Sequence, residues 1–255
     1  MSEPVIVDVA EGIATITLNR PQVRNAIDLP TAEAISDALD ELDSRSDVRA
    51  GLLTAVGEVF SAGMDLKALN ATGKRPITST RGAFGIAERP PEKPLVAAVE
   101  GKAFGGGFEL ILACDLIVCA EGVQFALPEV RRGMVATAGG AFRLPRRIPR
   151  SIAMELLLTG NPIDAARAAE LGLVNHVVTP GLAVREARRL AAVIAGNAPL
   201  AVRTAKRVLE ESAGWPSDEA FSRQAPYAER IRSSADAAEG ARAFAEKREP
   251  VWTDA

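Results

Sequence analysis

The sequence predicts an α/β fold, and three observations carry that expectation. Between residues 94 and 120, an apolar strand, a glycine turn, a buried helix and a second apolar strand follow one another. This is the rhythm of βα units built around a buried sheet. Beyond residue 139 the pattern turns helical, and only LVNHVV still reads as a strand. The 255 residues are 47% hydrophobic, enough for one large folded unit with a substantial core.

Taken in order, residues 5–9 and 13–18 alternate well enough for two strands, joined by a tight turn at Ala10-Glu11-Gly12. NRPQVRNAI is a loop carrying Arg20 and Arg24. Asp28 can cap a helix whose apolar residues Ile35, Ala38, Leu39 and Leu42 recur at i, i+3, i+4 and i+7. Residues 50–56 form a short strand ending at Gly57, and FSAGMDL at 60–66 is an apolar loop with a glycine and an acid. Residues 70–93, rich in Thr, Gly, Pro, Arg and Lys, lack periodicity and read as a mobile surface excursion or lid. A strand at 94–100 follows, then the glycine turn and its helix, then short strands at 115–120 and 124–126. Helical patterns occupy 151–158, 165–171, 182–195, 201–211 and 235–247. The chain divides into a core over 1–195 and a helical C-terminal region over 196–255, with no flexible linker between them.

Charge excludes several classes of function. Thirty basic against thirty-three acidic residues give a net charge of −3, without the basic stripe that nucleic-acid binding uses. The arginine pairs at 131–132 and 146–147 read as local contacts or solvated surface. The most apolar run, 110–120, is interrupted by Asp115 and too short to span a bilayer. MSEPVIVDVAEG lacks the regions of a signal peptide, so the expected compartment is the cytoplasm. Cys114 and Cys119 form C-x4-C without further partners, a poor zinc pattern, so no metal is expected and both thiols read as buried and reduced. His176 is the only histidine, and no G-x-S-x-G elbow supplies a serine for it to activate. It reads as structural, which leaves acid–base chemistry to carboxylates.

The chemistry-bearing stretch is GKAFGGGFEL at 101–110. Three successive glycines offer no side-chain packing and cost backbone entropy, so something must approach the main chain closely there. A glycine turn that opens a helix leaves N–H groups unpaired at the positive end of the dipole, a setting for resident or developing negative charge. A phosphate loop is excluded by order, because Lys102 precedes the glycines. A plain close contact between elements remains the alternative. Glu109 tips the balance, since a carboxylate at the start of an apolar helix is costly to bury unless it is used or hydrogen-bonded. Glu129 lies in FALPEV, where Pro128 stiffens the backbone into a mount for an aimed side chain. Alone, it reads equally as a surface glutamate after a turn.

Together these segments resemble the enoyl-CoA hydratase/isomerase (crotonase) superfamily over nearly the whole chain. FSAGMDL is similar to the family's first oxyanion-hole segment and GGGFE to its second; LTGNPIDAARAAELGLVNHVV and EGARAFAEKREPVW are also typical. The resemblance implies a crotonase-like spiral of ββα units with a helical C-terminal region. It implies that the amides of Met64 and Gly106 hold a thioester oxygen, and that a Cβ at 106 would obstruct the thioester. It makes Glu109 and Glu129 the two catalytic glutamates, with mutual repulsion raising one pKa to supply the acid. Arg24, Ala26, Ala62, Asp65, Leu66, Gly105 and Pro128 would contact the substrate and its CoA, while Phe244 and Lys247 would reach the CoA of a neighbouring subunit. The substrate would be an acyl-CoA thioester, with no separate cofactor, and the assembly a homotrimer or a pair of trimers joined through 196–255.

The sequence departs from many hydratases at 133–143, which lacks the proline and the Thr-Gln of their GxxPGAGGTQRL stretch and looks closer to carnitinyl-CoA dehydratase-like members. Met64 stands where many relatives have alanine and is expected to narrow the cavity. Reversible hydration of a 2-enoyl-CoA is the reading that uses both glutamates. An isomerase needs only one, and a non-catalytic acyl-CoA-binding protein needs neither.

Overall fold

The computed structural model describes residues 3–254. Strands β1 (Val5–Ala10) and β2 (Ile13–Leu18) form the expected hairpin, with Val5 opposite Leu18. Helix α1 (Leu29–Ser44) follows, and Asp28 caps it by accepting the Thr31 N–H at 3.0 Å. Then come β3 (Ala50–Ala55), β4 (Val59–Ser61), α2 (Leu66–Thr72) and a small hairpin of β5 (Ile77–Thr78) with β6 (Gly82–Ala83). Next are β7 (Leu95–Val99), β8 (Lys102–Phe104), α3 (Gly106–Leu112), β9 (Leu116–Ala120) and β10 (Gln124–Ala126), followed by a 3-10 turn at Pro128–Arg132. The remainder is α4 (Gly140–Arg147), α5 (Arg150–Thr159), β11 (Ile163–Asp164), α6 (Ala165–Glu170), β12 (His176–Val178), α7 (Ala183–Ala195), α8 (Pro199–Ser212), α9 (Ala220–Arg232) and α10 (Ala235–Glu246).

The strands form a six-stranded sheet, β1-β2-β3-β7-β9-β12, and a four-stranded sheet, β11-β10-β8-β4. After the β1-β2 hairpin, which lies wholly in the large sheet, β3-β4-α2 and β7-β8-α3 each add one strand to each sheet and then a helix; this is the expected spiral of ββα units. Inner strands of the large sheet pair in parallel and are buried on both faces, which is why β7 reads as the unbroken apolar run LVAAV. One face packs on α1 and α3. The other packs on α7, whose Ala183, Ala187, Ala191 and Ala195 recur every fourth residue and let the helix lie close to the sheet.

The structure corrects the sequence reading in four places. The stretch before the three glycines is not all turn, because Lys102–Phe104 pairs with both β4 and β10. Part of the FSAGMDL loop is likewise strand, since β4 ends at Ser61. Helices α2, α4 and α9 were not expected; α4 contains Pro145 and α9 contains Pro226, and α2 and α9 bury no residue fully, so those two show no clean apolar stripe. Most consequentially, 70–93 is not a loose lid. Arg81 is fully buried and donates to Asp40 Oδ1 at 2.8 and 3.0 Å and to Asp43 Oδ2 at 2.8 Å on α1, and Phe84, Ile86 and Ala87 enter the core. Among the described residues no helix is long and apolar enough to cross a membrane.

Candidate active site

The spiral brings the ends of β4 and β8 together, and a cavity of about 1040 Å³ opens where they meet α3. Parallel pairing explains how two backbone amides come to be free there. Ile27 bridges to the segment around Met64 by donating to Gly63 O and accepting from Asp65 N–H, each at 2.8 Å. Successive amides in extended chain point to opposite sides, so Met64's own N–H faces away from that bridge. Gly106 is the first residue of α3, where an N–H has no partner inside the helix. Among the described residues, neither amide has a backbone acceptor, and both residues line the cavity.

Each glycine of the triplet meets a distinct steric demand. Gly105 has φ +55° and ψ −129°, a region that L side chains avoid, and a Cβ there would sit 3.0 Å from Glu129 Oε1. A Cβ on Gly106 would lie 2.2 Å from the Phe84 ring, and one on Gly107 would lie 2.4 Å from Ser61 O. Glycine at 106 is therefore required by the packed Phe84 ring, independently of any demand made by the substrate. Gly63, at φ +83°, is pressed against the Gly106 nitrogen, and the buried Ser61 hydroxyl holds this crossing by accepting from Gly63 N–H at 3.1 Å and donating to Asn25 O at 2.8 Å.

Glu109, three residues along α3 from Gly106, shares a face with it and is almost wholly buried. Its Oε1 accepts the Gly140 N–H at 2.9 Å. Burial pushes its carboxyl up to about 7; the Gly140 amide opposes that shift, and the nearby Glu129 charge adds to it. Glu129, on the 3-10 turn after β10, is half-buried, and burial raises its pKa as well. Its Oε2 is buried with no hydrogen-bond partner among the described residues. Both residues line the same cavity. Burial is the largest cause of both shifts, and the Glu129 charge raises Glu109 further in the direction expected from sequence.

The other expected residues divide clearly. Arg24, Ala26, Met64, Ala62, Asp65, Leu66, Gly105 and Pro128 all line the cavity. Asp65 has its oxygens already engaged, one capping α2 through the Ala68 N–H and the other paired with Arg20 at 3.2 Å. Arg24 and Asn25 both adopt left-handed backbone, held because buried Asn25 donates to Val56 O and Val59 O at 2.9 and 2.8 Å. Phe244 and Lys247 do not line this chain's own cavity; Phe244 is 87% exposed on α10 and Lys247 is that helix's left-handed C-cap. His176 sits on the edge strand β12, 3.9 Å from Glu186 and apart from the cavity lining. Cys114 and Cys119 are free and buried, with both thiols pushed up to about 12 by burial.

Sequence reasoning missed Lys67, Arg75, Arg132 and Phe84 in the lining. Together with Arg24, the three cations give the cavity an excess of positive charge suited to phosphates. Arg132, one of the arginines expected to make local contacts or face solvent, lines the cavity instead, while Arg147 makes such a contact, with the Cys114 carbonyl. Lys67 directly follows the FSAGMDL segment, a position that could have suggested it. Nothing local in sequence marks Arg75 or Phe84.

Comparison with known proteins agrees with this geometry. The enoyl-CoA hydratase/isomerase family model matches residues 8–255. The chain is 42% identical to enoyl-CoA hydratase EchA19 of Mycobacterium tuberculosis over 92% of this chain and 91% of that protein. It is also 42% identical to carnitinyl-CoA dehydratase of Salmonella heidelberg, over 94% of each. The crystal structure of an enoyl-CoA hydratase from M. tuberculosis H37Rv superimposes with a TM-score of 0.97, 48% identity and full coverage of both chains. With its two-sheet spiral and its match along nearly the whole length, this chain belongs to the enoyl-CoA hydratase/isomerase family.

Proposed function

We propose that this chain catalyses the reversible addition of water to a 2-enoyl-CoA, giving a 3-hydroxyacyl-CoA. The observation that carries this reading is that Glu129 Oε2 has no partner among the described residues and shares a cavity with Glu109 and with the Met64 and Gly106 amides, which have no backbone acceptor among them. A buried carboxylate oxygen without a donor is expensive unless a ligand or water completes it.

In this scheme the thioester oxygen accepts from the Met64 and Gly106 N–H groups. Negative charge grows on that oxygen as the substrate becomes enolate-like, so the fixed dipoles favour the transition state over the ground state. A water held between Glu109 and Glu129 adds its oxygen to C3. One carboxylate takes a proton from that water, and the other, protonated, delivers one to C2. The next water lets the pair exchange protons and reset. Burial raises both carboxyls, Glu109 to about 7, so that a protonated member is available near neutral pH. Positioned proton transfer of this kind contributes ~10²–10⁴-fold in rate.

CoA enters as part of the substrate, and the scheme needs no other cofactor. Arg24, Lys67, Arg75 and Arg132 are assigned to its phosphates, with Ala26, Ala62 and Leu66 along the pantetheine. Phe244 and Lys247 are assigned to the CoA held by a neighbouring subunit, in a homotrimer or a pair of trimers joined through 196–255. The cytoplasm as the compartment belongs to the same proposal. The test is to incubate the protein with 2-enoyl-CoAs of increasing length and branching while following the loss of enoyl-thioester absorbance. Products heavier by one water support the reading. A double bond moved without added water would point to an isomerase, and unchanged substrates to binding without turnover.

A further inference from the structure

We propose that Phe84 is the specificity-determining residue of the acyl pocket, and that it restricts the enzyme to short, compact acyl groups; this rests on the function proposed above. Phe84 has φ +57°, a left-handed backbone that an aromatic residue adopts only when its surroundings enforce it. What enforces it is visible. Its N–H donates to Pro76 O at 2.7 Å, and the next residue, Gly85, lies so close to α1 that a Cβ would fall 2.1 Å from Ala32 O. Three residues upstream, buried Arg81 is clamped by Asp40 and Asp43, and Thr80 Oγ1 meets Ser36 Oγ at 2.8 Å.

This rigid turn delivers the ring to a specific place. Phe84 is only 7% exposed, lines the cavity, and abuts Gly106, the residue whose N–H is assigned to the thioester oxygen. Gly106 and Glu109 share a face of α3, so a ring against Gly106 borders the carbons that react. Leu69, Ile77, Val135 and Ala138 add apolar lining to the same cavity, and Phe84 is the lining ring packed directly on Gly106. A strained aromatic clamped from behind does not swing aside at little cost, so the depth beside Gly106 is fixed. Strain retained against a helix, at a site of proposed chemistry, is what a selectivity wall requires.

The experiment compares wild type, Phe84→Ala and Phe84→Leu. Hydration kcat/KM is measured on straight-chain 2-enoyl-CoAs of about four to twelve carbons, alongside calorimetric affinities for the saturated butanoyl and decanoyl thioesters of CoA. Wild type is expected to favour the short chains. Phe84→Ala should shift the long-to-short ratio by about tenfold or more in both kcat/KM and affinity, the scale set by a few methylenes in an apolar pocket. Phe84→Leu, which keeps the core contact, should shift it in the same direction by less. A wild type that already prefers long chains, or a ratio unmoved in a folded variant, overturns the proposal. If wild type hydrates nothing, the functional reading fails, while the affinity ratio still decides the role of Phe84.

Discussion

Glu109 and Glu129 carry the same functional group into one cavity by opposite routes. Glu109 stands on an α-helix, deep in the core, with an oxygen tied to the Gly140 N–H. Glu129 stands on a short 3-10 turn, half-buried, with one oxygen shut away from solvent and bonded to nothing described. The first is a carboxyl with one oxygen already held by the fold; the second has a buried oxygen that only an entering group would complete. In the proposed mechanism, the contrast means that two proton-transfer partners need not share an environment. One can be held by the fold, and the other left open for water and substrate to complete.

Several substitutions break this contrast from one side at a time. Apart from replacing either carboxylate itself, the largest effect is expected at Gly105, where alanine must adopt a backbone region that L residues avoid while its Cβ crowds Glu129. Gly105→Ala should lower kcat by ~10²-fold through misplacement of the carboxylate and cost about 1–3 kcal/mol of stability; steady-state kinetics and chemical denaturation check both.

The next effect is on the pH dependence of stability. Glu109 is pushed from 4.5 up to about 7, so between those values the folded state binds more protons than the unfolded state. Stability therefore falls as pH rises from about 4.5 to 7, by about 3 kcal/mol in all, and the loss is complete above 7. Glu129, raised in the same direction, adds to the slope. Denaturation across that window should show the decline, and Glu109→Gln should flatten it; an unchanged slope in that variant would contradict the burial argument. The smallest effect is expected at Gly140, whose Cβ would lie 2.9 Å from the Ala136 Cβ and 3.1 Å from Glu109 Oε1. Gly140→Ala should cost about 1–3 kcal/mol by overpacking, with a kcat loss smaller than that of Gly105→Ala because the N–H donor is retained.

Much of this site was legible because its constraints are local. Three glycines in a row announce close approach, and Glu109 beside them is a carboxylate where an apolar residue would serve the core better. Glu129 gained meaning only from the company of those motifs, and the structure supplies the reason, since its open oxygen is a property of the assembled cavity. The failures were non-local. Arg81, Thr80 and Gly85 look like surface composition until Asp40 and Asp43, Ser36 and Ala32 of α1 are brought against them from about forty to fifty residues away. Phe84 inherits its place from that clamp, so no pattern within 70–93 could reveal it. Strand β8, three residues long, is too short for alternation to show, and α9 carries Pro226 and an 87%-exposed Phe221 instead of an apolar stripe.

The most direct test of the two-carboxylate account is the rate of 2-enoyl-CoA hydration by wild type, Glu109→Gln and Glu129→Gln under identical conditions. Each single substitution should lower kcat by ~10²–10⁴-fold, and the double variant should fall little further, because the residues act as a unit. Near wild-type turnover in either single variant would contradict the account.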